Sequence, residues 1–219
     1  MKALKFLKVD WIRCKSQLKI MILFPVVAVV LAFRGMDNEL FAITYMVFGA
    51  IVFAIQPFTM EQMSESGFIN MLPGTKSDRV TGRYLFAFIL ILLSVLLGLG
   101  ATVVYDMKHG ISLEPALTVS CIFFGGAMVI CSLQYILFYS LGKGKSNQMM
   151  AIIRIIPAFI MFFAGNYVLN WLKSGETAKL NWILDRTAEL SALCVLVGFF
   201  VFFVGISISG RIIEHKDFA

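Results

Sequence analysis

"YLFAFILILLSVLLGLGATVVY", residues 84–105, runs for 22 residues without a charge. As an α-helix rising 1.5 Å per residue it would be ~33 Å long, close to the thickness of a bilayer's hydrocarbon core. In water, such a run would have to be hidden by a large polar domain. None is available, because the rest of the chain is much the same. The 219 residues are 59% hydrophobic and 15% charged, with a mean hydropathy of +0.86. Five more apolar runs lie at about residues 18–33, 40–58, 115–141, 149–172 and 190–209. None alternates polar and apolar residues as a barrel strand does. The expected fold is an all-α membrane protein with six transmembrane helices in a single membrane domain spanning residues 1–219. Pro25 and Pro157 fall inside two of these runs and are expected to kink them.

Charge decides the expected orientation. Six Lys and Arg precede the first run (Lys2, Lys5, Lys8, Arg13, Lys15, Lys19). With Lys76, Arg79 and Arg83, Lys143 and Lys145, and Arg211 and Lys216, thirteen basic residues fall on one side. The other three connections carry five, Arg34, Lys108, Lys173, Lys179 and Arg186. The positive-inside rule then puts both termini in the cytoplasm of a multi-pass cell-membrane protein. The net charge of +6 reflects this bias and does not call for a nucleic-acid partner.

The polar lead, residues 1–17, is too long for a signal peptide, and no small-x-small cleavage pattern follows the first apolar run. Leu4, Leu7, Trp11, Cys14 and Leu18 recur at helical spacing, with Lys5, Lys8, Lys15 and Lys19 on the adjoining stripe. This pattern predicts an amphipathic helix on the inner leaflet. Lys5, Lys8, Trp11 and Lys15 are its membrane-interface anchors, together with Arg79 and Arg83 further along.

The longest polar connection, about residues 60–83, reads as two helical pieces divided at Pro73–Gly74. Thr75 or Ser77 is placed to cap the second, with Asp78 near its positive end. Catalytic chemistry is poorly represented elsewhere. No Asp, Glu or His lies in the core of a run, and HExxH and GxSG are absent. The GKS of "YSLGKGKS", residues 139–146, lacks the first glycine of a phosphate-binding loop, since Tyr139 stands there. Cys14, Cys121, Cys131 and Cys194 show no CxxC spacing and read as buried free thiols. No metal or directly bound cofactor is implied, and the chain by itself is not expected to be an enzyme. Gln56, Gln134, Arg154 and Asn166 are the candidate lining of a substrate path, although such residues more often bond across helices. Apart from Lys19 at the edge of the first run, Arg154 is the one charge inside a run, near enough to the inner edge to snorkel.

The order of motifs in residues 61–84 resembles the first cytoplasmic loop of type-2 ABC export permeases. The matching positions are Glu61, Glu65, Gly67, Leu72, Pro73, Arg79, Gly82, Arg83 and Tyr84. The basic leading helix and the tail "SISGRIIEHKDF", residues 207–218, are similar to the elbow helix and the closing stub of that family. The resemblance implies a coupling helix carrying Glu61, Glu65, Gly67, Phe68, Ile69, Asn70, Met71, Leu72 and Pro73, docked on a separate ATPase. It implies two permease copies, identical or sister chains, above an ATPase dimer that binds ATP and Mg. Compact members serve peptide exporters, including those for bacteriocins and phenol-soluble modulins. The short outer connections, residues 34–39, 106–114 and 173–189, fit a small amphipathic or apolar cargo. A non-transporting membrane sensor or assembly partner and an ion-coupled carrier are the alternatives, the last disfavoured by the lack of in-span carboxylates.

Overall fold

The computed structural model describes residues 2–21, 23–33, 41–63, 74–110, 113–173 and 187–215. They form α1 (Lys2–Met21), α2 (Leu23–Phe33), α3 (Phe41–Ala54), α4 (Gln56–Met63), α5 (Lys76–His109), α6 (Glu114–Lys173) and α7 (Thr187–His215). No strand occurs among the described residues. Among the described residues, four stretches are long and apolar enough to cross a membrane: Phe41–Glu61, Lys76–His109, Glu114–Leu141 and Ala188–His215. The first, made of α3 and α4 together, is the most enclosed, and the last is the least. The expected first and fifth spans are represented by α2, of 11 residues, and the shorter apolar stretch Ala151–Gly165.

Helical backbone covers all 60 residues of α6, but the helix is not straight. Gly126 lies against Met161, and Gly165 against Phe123. A straight helix would hold Phe123 and Gly165 ~60 Å apart. Gln134 also donates from Nε2 to the Ile153 carbonyl at 2.9 Å. These pairs are symmetric about residues 143–144, so α6 doubles back there into two antiparallel arms.

Other contacts order the bundle. Gly98 of α5 meets Ile43 of α3, and Tyr84 near the other end of α5 shares a cluster with Ala54 and Phe58, so α3 and α5 are antiparallel. Ser132 of α6 bonds the Val201 carbonyl, and Gly125 meets Cys194, so the first arm of α6 and α7 run in parallel. Glu61, Arg83, the α6 reversal and the end of α7 therefore share one end of the bundle.

The core lies between α3, α5, the first arm of α6 and α7, with Val47, Ile51, Tyr84, Ile91, Met128, Tyr135 and Phe202 at its centre. The outward side chains are just as apolar: Phe200 of α7 is 70% exposed. Lipid tails are as apolar as leucine, so close van der Waals packing and interhelical hydrogen bonds must hold such helices together. Small residues permit that approach. A Cβ on Gly198 would stand 2.8 Å from the Gly125 Cα, and one on Gly125 would overlap the Cys194 carbonyl oxygen. Gly205 leaves room for Ser132 and for the Tyr84 hydroxyl, which bonds Ser209 Oγ at 3.0 Å.

Pro25 is the third residue of α2, and Pro157 lies inside α6. The break in the second apolar run falls at Ile55, two residues before Pro57, a proline that the run's strong hydropathy obscured.

Glycine packing is testable by thermal unfolding in detergent. Gly198→Ala should destabilise the protein by about 1–3 kcal/mol through overpacking. Gly100→Ala, with nothing within 4 Å of its would-be Cβ, should be neutral or mildly stabilising.

Candidate functional site: a buried charge cluster at one end of the bundle

The site begins with a helix start. Thr75 caps α5: its Oγ1 accepts from the Asp78 N–H at 3.1 Å, while the Thr75 N–H donates back to Asp78 Oδ2 at 3.0 Å. Of the two caps the sequence offered, Thr75 and Ser77, the helix uses Thr75, and Asp78 closes a capping box with it. It fixes the first turn of α5 and so the direction in which Arg79 and Arg83, one turn apart, project.

Both guanidiniums reach the same carboxylate. Arg79 Nη2 bonds Glu61 Oε1, and Arg83 Nη2 bonds Glu61 Oε2. Arg83 Nε lies 3.8 Å from Asp10 Oδ2, and Arg83 Nη1 is 3.5 Å from the Tyr139 hydroxyl. Its Cζ stands 4.4 Å above the centre of the Phe58 ring. Arg83 thus joins α1, α4, α5 and α6 while only 2% exposed. An unpaired guanidinium could not be buried there, whereas a planar fork facing two acids and an aromatic ring can. Sequence analysis grouped Arg79 and Arg83 with headgroup anchors; the structure turns both into the protein. Glu61, grouped with ATPase-facing residues, is likewise turned inward, its side chain 11% exposed.

Helix α1 closes the cluster. Phe6, Asp10 and Cys14, spaced by four, face α5 and are buried. Gly82 admits this helix, since a Cβ there would come within 2.8 Å of the Ala3 carbonyl oxygen and of Phe6 Cβ. Gly74 lies against the Phe6 ring, and Trp11 meets Phe86 edge-on at 6.0 Å. The buried stripe is therefore not the one centred on Leu4 and Trp11. Those two, at 57% and 39% exposed, stay on the outer surface beside exposed Lys5, Lys8, Lys15 and Lys19. Burial pushes the Asp10 carboxyl above its usual range, although Arg83, Arg79 and Arg13 pull the other way. Burial, and then Asp10, push the Cys14 thiol up to about 12.

Of the candidate path residues, Gln134 and Arg154 spend their donors on backbone carbonyls of neighbouring helical segments, Ile153 and Val52. Gln56 is buried beside the Ile55 break. The side chain of Asn166 lies outside the described residues, as do Glu65, Gly67, Phe68, Ile69, Asn70, Met71, Leu72 and Pro73. Sequence analysis missed Asp10, Phe58 and Tyr139. Asp10 had a visible signal, being the only acid before Asp37 and in register with Phe6 and Cys14. The two aromatics had none, since their value depends on which helix comes to lie beside Arg83.

A bundle of long apolar helices, with one end closed by buried ion pairs and a basic leading helix, defines a polytopic helical membrane protein. A family model described as ABC-2 family transporter protein matches residues 6–214, and the chain belongs to that family of ABC transporter membrane subunits. No curated protein and no solved structure matches it significantly.

Two measurements check the cluster. Glu61→Gln leaves two buried guanidiniums without their shared charge and should cost about 3–5 kcal/mol in detergent unfolding, while Lys8→Ala, on the exposed face, should change stability by less than about 0.5 kcal/mol. Cys14 should resist a water-soluble maleimide near neutral pH, because the reactive thiolate is suppressed and covered. Gly82→Leu or Arg83→Met should loosen α1 and speed its labelling on the order of tenfold, the factor that accompanies ~1.4 kcal/mol.

Proposed function

We propose that this chain is the permease subunit of an ATP-driven exporter. A separate ATPase drives it through the segment of residues 64–73, and it moves a small amphipathic cargo, best fitted by a peptide, out of the cell. The observation that carries this reading is the position of the charge cluster. Glu61 precedes that segment and Arg79 and Arg83 follow it, so both flanks are clamped to each other and, through Asp10, to α1. A push on the segment then cannot be absorbed by its ends; it must be passed to α3 and α5. Membership in the ABC-2 family supplies the class of partner.

In this reading the chain crosses the cell membrane six times, with α2 and the second arm of α6 as the additional spans and both termini in the cytoplasm. Exposed Lys5, Lys8, Trp11 and Lys15 hold α1 on the inner leaflet. Phe68, Met71 and Leu72 are the apolar residues offered to the ATPase, with Glu65, Gly67, Ile69, Asn70 and Pro73 completing the coupling segment. Two permease copies stand above two ATPase subunits, which hold ATP and Mg. The permease performs no chemistry of its own.

The test is co-purification and export with the ATPase supplied. Phe68→Asp combined with Leu72→Asp should leave the chain in the membrane but reduce both ATPase recovery and peptide export by about tenfold or more, as expected for loss of a buried interface anchor. Unchanged export in that variant would overturn the assignment of the coupling segment. Export of a lipid or drug but of no peptide would overturn the cargo.

A further inference from the structure

Two prolines, each breaking a helical hydrogen bond, lie within reach of one another. Pro57 offers no N–H to the Phe53 carbonyl, and the helix stops at Ile55, whose own carbonyl is taken by the Phe58 N–H at 3.0 Å. Carbonyls around this break need donors from elsewhere, because hydrocarbon supplies none. Arg154 Nε donates to the Val52 carbonyl at 3.2 Å, and the Tyr135 hydroxyl donates to the Ala54 carbonyl at 2.5 Å. In the second arm of α6, Pro157 likewise leaves the Ile153 carbonyl without its helical partner. Gln134 Nε2 takes it at 2.9 Å and lies 3.5 Å from the next carbonyl, that of Arg154.

These bonds form a closed circuit. Gln134 and Tyr135 are consecutive residues of the first arm of α6; one holds the Pro157 break and the other the Pro57 break. Arg154, the residue after the carbonyl freed by Pro157, reaches back to the Pro57 break. We propose that the two proline breaks act as a single coupled joint, with Gln134, Tyr135 and Arg154 as its positioning residues, so that α3–α4 cannot change its bend without a matching change in the second arm of α6. A bend at Pro57 reorients the last turn of α3, whose Val52 and Ala54 carbonyls are each tied to a different arm of α6. It must therefore shift Arg154, and with it the Ile153–Pro157 turn, or break a hydrogen bond in an apolar surrounding. This also accounts for a charged side chain in an apolar helix: the guanidinium donates to a carbonyl in the last turn before the Pro57 break. The inference rests on these hydrogen bonds alone and is independent of cargo, ATPase and stoichiometry, so its failure would leave the export reading standing.

Amide hydrogen exchange on the full-length chain in lipid nanodiscs tests it. Pro57→Ala restores the missing N–H. In an otherwise natural chain it should change exchange both across residues 50–60 and, about five- to tenfold, across residues 151–158, the factor expected for one hydrogen bond gained or lost. In a Tyr135→Phe, Arg154→Met background the same substitution should act on residues 50–60 alone. Coupling is reciprocal, so Gln134→Met should disturb exchange at residues 50–60 as well as at 151–158. This second arm also keeps the test open if Pro57→Ala does not fold. A change confined to the substituted break in the natural background, or one equally large at both breaks when Tyr135 and Arg154 are replaced, would overturn the proposal.

Discussion

Glu61 and Arg83 make the contact on which the arrangement of this protein depends. The carboxylate ends the second apolar run and the guanidinium begins the third, and between them lies the most polar connection of the chain. Without their pairing, the ends of α4 and α5 would bring uncompensated charge to a closely packed interface. Because both are ionised, and because Arg79, Asp10, Tyr139 and the face of Phe58 complete their surroundings, burial becomes tolerable. The cost of leaving any member unpaired makes the cluster selective. It admits α1 in one register only, with Asp10 toward Arg83 and Gly82 beneath Phe6.

Away from that end, cohesion has another source. The described helices present apolar side chains inward and outward alike, so hydrophobicity cannot say which faces meet. Glycines say so where Gly125 and Gly198 bring backbones together, and hydrogen bonds say so where Tyr84, Ser132 and Ser209 join α5, α6 and α7. The polar residues inside the apolar runs follow the same logic. Gln134, attractive as a substrate lining, satisfies the carbonyl that Pro157 has left open, and Arg154 donates to a carbonyl beside the Ile55 break. In a bilayer an open carbonyl is a strong acceptor with no water to fill it, and a nearby side chain takes the place of water.

Much of this was legible beforehand. The run at residues 84–105 could only be a membrane-crossing helix, and the cap at Thr75 with Asp78 followed from local hydrogen-bonding geometry. The side of α1 that is buried was not legible. Leu4 and Trp11 are more hydrophobic than Asp10, but the partner surface carries Arg83, and complementarity outweighs hydropathy. Pro57 was hidden at the end of a strongly apolar run. The reversal of α6 was visible as a polar gap, but its register was set by contacts between residues about forty positions apart.

The sequence by itself determined the solvent, the helical class and the approximate positions of the crossing segments. These follow from hydropathy and run length, which are local properties of the chain. Membership in the ABC-2 family is consistent with that reading and with the motif order of residues 61–84. Only the tertiary structure decided that Arg83 is buried, that Glu61 faces inward, and that Arg154 and Tyr135 hold the Pro57 break. Each of those outcomes depends on which atoms from distant segments arrive at the same place. Charge and hydrogen-bond energies depend on separations of a few ångströms and on the surrounding dielectric, and neither is written in the order of the residues.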